Sequence, residues 1–230
     1  MSSSRDTILN KLRHARRPFE TATPRPAAYQ PVLSAGDQST DALIARFQDA
    51  MTALKGNTIV AHGDAAVRDI VIDLLRQHEV THILAWDFSH IPVADLELTV
   101  RNAGITITMP NTHEERSPDA MQWMGSAGAG LTGADAALAA TATLVLSTDI
   151  GKGRIPTVLP PIWISVISSS QIFAHMEDWV AHQRAQGMTT ILERANVAFV
   201  TGPSRTGDIE MQLVLGVHGP GTQYVVIKHE

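Results

Sequence analysis

NTIVAHGDAAVRDIVIDLLRQHEVTHILAW, residues 57–86, reads as a strand, a helix and a second strand. Asn57 to Ala61 is a short β-branched run. Asp64 is placed to cap a helix on which Val67, Ile70, Val71, Leu74 and Leu75 recur at helical spacing. Val80 to Trp86 is again apolar and β-branched. The same alternation continues outward. Upstream, Thr40 is placed as an N-cap before Leu43, Ile44, Phe47, Ala50, Met51 and Leu54. Downstream, Gly104 to Met109 reads as a strand, and Ser117-Pro118 opens a helix with proline in the first turn. Gly133 is read as opening a helix over Ala134 to Ala140. Ala142 to Ser147 and Ile162 to Ile167 are buried-strand runs. Ser168 and Gln171 form a capping box for a helix carrying Ile172, Phe173, Met176, Trp179 and Val180. Strands near 196–200, 211–217 and Gln223 to Lys228 close the chain. Strands and helices in this order predict an α/β layered fold with a largely parallel sheet.

The 230 residues suffice for one substantial core. Before it, residues 5 to 17 are basic and helix-compatible, and residues 18 to 36 hold Pro18, Pro24, Pro26 and Pro31. We therefore expect an N-terminal helix and proline-rich arm over 1–36 and an α/β domain over 37–230. The arm reads either as a segment that wraps a neighbour or as a frayed terminus.

A net charge of −5 argues against non-specific nucleic-acid binding. No apolar stretch approaches the roughly 20 residues that span a bilayer, and the start lacks a signal-peptide pattern. A cytoplasmic protein is expected. Zero cysteines excludes disulfides, a cysteine nucleophile and thiolate-held zinc or iron–sulfur clusters within this chain. We expect no metal and no resident cofactor; a homo-oligomer is compatible with the sequence.

Chemistry-bearing residues concentrate in TGPSRTGDIE, residues 201–210, followed by GVHGP, residues 216–220. Glycines there let a backbone approach a ligand closely, and Arg205 beside turn amides suits a phosphate or carboxylate. Ser204, Arg205 and Thr206 are thus candidate ligand contacts, and His218, between glycines, is placed to act as acid–base or donor. A plainer reading makes Ser204, Thr206 or Asp208 the cap of a short helical turn. Ile209, three residues after Thr206, denies Thr206 a capping box.

Three other motifs compete. His78-Glu79-Val80-Thr81-His82 fits H-E-x-x-H, but its zinc chemistry needs one continuous helix, and here the helical periodicity stops near Leu75. Gly128 to Gly133 fits G-x-G-x-x-G but lacks the leading strand, so close packing of small residues is the preferred reading. In Gly151-Lys152-Gly153-Arg154, Lys152 reads as solvated surface charge. His62 reads as a hydrogen-bonded strand-end side chain.

Residues 202–210 with Gly216-x-His218-Gly219-Pro220 resemble the C-terminal signature of the LUD domain of LutC-like lactate-utilisation proteins. A second block agrees: Gly130 to Ala139, Thr141 to Leu146, Arg154, and Leu159-Pro160. The family usually has glycine at Ala142 and histidine at Trp163. The resemblance implies a Rossmann-like three-layer sheet of the ribose-phosphate isomerase, glucosamine-phosphate deaminase and CoA transferase type. It also implies a non-redox accessory component of an L-lactate to pyruvate oxidation system, working with iron–sulfur-containing partner subunits and a small anionic ligand. Thr141, Thr143 and Arg154, at motif positions, join Ser204, Arg205, Thr206 and His218 as expected ligand contacts. The rival expectation is a free-standing transferase, isomerase or hydrolase acting on a phosphorylated or CoA-bearing small molecule. Its catalytic candidates are Glu210, with His218 or Asp208 as partner.

Overall fold

The computed structural model describes residues 4–15, 36–110, 117–207 and 213–230. The chain divides into two compact units, Met1–Ser34 and Ala35–Glu230. In the first, α1 (Ser4–His14) buries none of its residues and leaves Ile8 and Leu12 exposed. Asp6 in its first turn and Lys11, Arg13 and His14 in its last complement the helix dipole.

The second unit is organised by a six-stranded sheet in the order β1-β12-β7-β4-β2-β3. These strands are β1 (Asn57–His62), β12 (Thr222–His229), β7 (Ile162–Ser168), β4 (Ala129–Thr132), β2 (His82–Ala85) and β3 (Thr106–Thr108). Every pairing between them is parallel. Such a sheet must be apolar on both faces, and alternate residues of β12 show how. Val226 packs with α3 (Gly63–Gln77) and α4 (Leu96–Asn102) on one face. Val225 and Ile227 pack on the other against Phe47 and Met51 of α2 (Thr40–Ala53). Full burial of side chains of this size contributes about 1.5–3 kcal/mol each.

A four-stranded sheet, β8-β5-β6-β9, covers the second face beside α2. It comprises β5 (Ala136–Leu138), β6 (Thr143–Ser147), β8 (Ile172–Phe173) and β9 (Val197–Thr201). The layered α/β fold with a parallel sheet is therefore as read from the sequence.

Several local expectations need correction. Gly133 opens no helix: Ala136–Leu138 is a strand antiparallel to β6, followed by a 3-10 turn at Ala139–Thr141. Alanine-rich composition favours a helix, but burial between two sheet neighbours, β6 and β8, decides. The Ser168–Gln171 capping box forms, but it caps a three-residue 3-10 turn. Ile172 and Phe173 then become β8, and the helix α7 starts only at Met176 (Met176–Ala185). Asp64 is not an N-cap; its carboxylate accepts from the Ala94 amide (3.0 Å) and pairs with Lys228 (3.1 Å). The cap before α2 is Ser39 rather than Thr40. Ser117 does cap α5 (Pro118–Gly125), accepting from the Ala120 amide.

Both departures from the resembled family lie in the core on this second face of the sheet, with Phe47, Met51, Val225 and Ile227. Ala142 has φ +48°, a left-handed conformation that glycine adopts freely and alanine holds at a cost of roughly 1–2 kcal/mol. Trp163 is buried and donates its indole N–H to Thr132 Oγ1 at 2.9 Å.

At the far edge, the buried His82 ring stacks on Trp123 (4.3 Å) and meets the Thr108 and Ser126 hydroxyls at 2.9 and 3.3 Å. Burial lowers its pKa below the ordinary value of 6.5. The unfolded chain then binds the proton more readily, so this contribution to stability is present above about pH 6.5 and lost as pH falls through the folded pKa. Urea midpoints at about pH 7.5 and pH 5 test this. His82→Gln is expected to lose less stability on acidification than the parent chain; equal losses exclude His82 as the source.

Candidate functional site

β2 ends at Ala85, and the next residue, Trp86, is buried at the carboxyl edge of the parallel sheet. Its indole N–H donates to the Gly153 carbonyl (2.8 Å), and the Asp87 amide donates to the Gly151 carbonyl (2.9 Å). These bonds pin the loop that leaves β6 against the end of β2. They also turn Lys152 inward. Its side chain is only 9% exposed and pairs with the Asp135 carboxylate, with Ser147 Oγ at 3.0 Å. The ammonium also lies 5.1 Å from the Trp86 ring centre, over its face. Asp135 accepts in addition from the Ser147 amide, which joins loop, strand and turn in one network.

The loop ends in α6 (Ile155–Val158), pressed onto β4 where Gly130 leaves no side chain. The Thr157 hydroxyl and amide donate to the Arg154 carbonyl at 2.7 and 3.0 Å, fixing the arginine backbone at the helix start. Its guanidinium is exposed and makes no hydrogen bond or ion pair among the described residues. Between α6 and strands β6 and β9 lies a cleft of about 270 Å³. Lys152, Arg154, Ser147, Thr148 and Asn196 line its polar side, and Val158 and Val200 its apolar side. A larger groove of about 510 Å³ runs along Phe88, Leu96, Leu98 and Arg101, but its cation is already held by Glu97 at 2.7 Å.

Of the expected ligand contacts, Arg154 lines the cleft. The turn from Gly202 follows β9, which is half exposed and antiparallel to β6, so it does not stand at the end of a parallel strand. The plainer alternative, a short helical turn, does not hold for Arg205–Gly207, which form a strand, β10, paired with β11 (Leu213–Leu215). The Arg205 guanidinium donates to the Leu54 carbonyl. The Ser204 amide donates to the Pro220 carbonyl (2.9 Å), and the Gly216 amide to the Ser204 carbonyl (2.9 Å). The two glycine-rich segments are thus joined through backbone. Thr206 faces Val214 across the hairpin, while His218 is exposed and without a hydrogen bond among the described residues. Thr141, Thr143 and Thr201 form a hydroxyl chain, with links of 2.8 and 2.7 Å. Asp208 and Glu210 lie outside the described residues.

Lys152 corrects the sequence reading: it is buried and paired, where solvated charge was expected. The available signal was Trp86 at a strand end. A buried indole N–H needs an acceptor, and the loop that supplies one carries this lysine with it.

The other motifs resolve structurally. H-E-x-x-H straddles the end of α3 and the start of β2; His78 bonds the Tyr224 hydroxyl (2.8 Å), away from the partners of His82. G-x-G-x-x-G contains β4 itself and serves close packing. His62 lies at a strand end, its ring 4.9 Å from that of His229. The Asp41 carboxylate, 2.8 Å from His229 Nε2, raises the pKa of that imidazole.

A model of the LUD domain matches residues 44–227. A lactate utilization protein C of Halalkalibacterium halodurans is 25% identical over 233 residues, covering 99% of each chain. One from Macrococcus caseolyticus is 29% identical over 167 residues, 70% of this chain and 68% of that protein. One from Geobacillus sp. is 35% identical over 136 residues, and the match spans only 56% of that protein's length. The crystal structure of a DUF162 family protein from Deinococcus radiodurans shares the fold, with a TM-score of 0.59 at 19% identity. That match covers 84% of this chain and 99% of the other.

Proposed function

This chain belongs to the LUD domain family, and from that premise we propose that it is a non-redox accessory component of a system that oxidises L-lactate to pyruvate. The similarity over the whole length of the Halalkalibacterium halodurans lactate utilization protein C carries this reading. With zero cysteines, the chain offers no thiolates for a cluster. Electrons then pass through iron–sulfur-containing partner subunits, and this chain contributes binding of a small anion. The unpaired Arg154 guanidinium beside the Lys152 network supports that contribution, since a fork of N–H donors matches a carboxylate. Partner docking falls to the 1–36 arm, where Ile8 and Leu12 of α1 are exposed apolar side chains. We place the protein in the cytoplasm; no helix among the described residues is long and apolar enough to cross a membrane.

The test is genetic. A strain deleted for this gene is expected to lose growth on L-lactate while growing normally on pyruvate, and the intact chain restores it. Normal growth on lactate without the gene overturns the proposal.

A further inference from the structure

The charges around the α6 cleft define what it can hold. Lys152 lines it, but its charge is matched by Asp135, and its remaining contacts are Ser147 and the Trp86 face. Arg194 and Asp149 likewise pair with one another near the loop. No carboxylate side chain is among the residues lining the cleft. One uncompensated positive charge remains, on Arg154. A monoanion balances it, whereas a phosphomonoester, at about −1.5 to −2, exceeds it.

The rest of the lining limits the ligand further. The Asn196 amide and Thr148 hydroxyl make no side-chain hydrogen bond among the described residues, so both can bind a second oxygen. Val158 and Val200 offer an apolar wall. A cleft of about 270 Å³ falls just below the usual range of about 300–1,000 Å³ for drug-sized ligands, which favours a molecule of a few carbons.

We propose that this cleft is a specific site for a small monocarboxylate with a hydroxyl or keto oxygen beside the carboxylate and a short apolar substituent. Arg154 holds the carboxylate, Asn196 and Thr148 the second oxygen, and the valines the substituent. Lys152 acts as a positioning residue that fixes the loop bearing Arg154. This deepens, and rests on, the anion-binding part of the function proposed above; it is independent of the pathway.

Calorimetric titration of the full chain with lactate, pyruvate, 4-methyl-2-oxopentanoate and inorganic phosphate tests it. The variants are Arg154→Ala, Arg154→Lys, Arg205→Ala and, as a surface control, Arg76→Ala, each first checked for an unchanged melting temperature. One or more carboxylates are expected to bind and phosphate not to. Arg154→Ala is expected to weaken binding by about tenfold or more, with Arg154→Lys recovering part of the loss. Retained binding in Arg154→Ala with loss in Arg205→Ala moves the ligand to the 202–207 turn and overturns this site, leaving the accessory role standing. Binding of phosphate alone, or of none of the three carboxylates, overturns it as well. The growth phenotype judges the pathway separately.

Discussion

Lys152→Ala is expected to destabilise the chain by about 3 kcal/mol, the low end of the range for removing one partner of a buried ion pair. The cause is the carboxylate left behind. Asp135 would lose its ammonium partner while only 22% of its side chain reaches solvent, and Ser147 Oγ would lose its 3.0 Å contact. That residual exposure is why the upper end of the range is not expected. Urea unfolding measures the effect, and a second variant identifies its origin. Lys152→Met with Asp135→Asn removes both charges and keeps similar volume, so it should recover most of the loss. A single-variant cost below about 1 kcal/mol would show that Lys152 behaves in solution as an ordinary surface charge.

Lys152 also marks where sequence reasoning stops. Between two glycines in a polar loop, a lysine is most simply solvated, and nothing local contradicts that. Its burial follows from a residue 66 positions earlier, Trp86, whose ring it covers and whose N–H the same loop satisfies. Such a long-range polar bond has no periodic signature. The parallel sheet was legible because its strands are apolar on both faces and separated by amphipathic helices, patterns contained within short windows. The second sheet was half legible. β6 and β9 are short apolar runs that read as strands, but Ala136–Leu138 has the composition of a helix and is a strand only because β6 and β8 pair with it. At the candidate site, Arg154 was identified by its motif position, while Trp86 and Asn196 were missed. Their contribution depends on distant segments, the residue after β2 and the start of β9, lining one cleft.

Gly130→Ala is expected to be the most damaging small substitution in the chain. An added Cβ would lie 1.7 Å from the Pro156 carbonyl oxygen and 2.8 Å from its carbon, both backbone atoms of α6. No side-chain rotation relieves that contact. Gly130 sits in β4, between β7 and β2, so the strand cannot retreat without breaking two parallel ladders. Overpacking usually costs about 1–3 kcal/mol, and a clash of two buried backbones belongs above that range. At about 2–4 °C per kcal/mol for a chain of this size, a loss of roughly 10 °C or more in melting temperature is expected, or failure to fold. Gly125→Ala provides the contrast, because a Cβ there meets nothing within 4 Å and the residue ends α5. That change should shift the melting temperature by no more than about 3 °C. Similar small shifts for both variants would mean that α6 does not press on β4. The anchoring of Arg154 over the cleft would then need another explanation, since the helix whose first turn fixes its carbonyl is held in place by that contact.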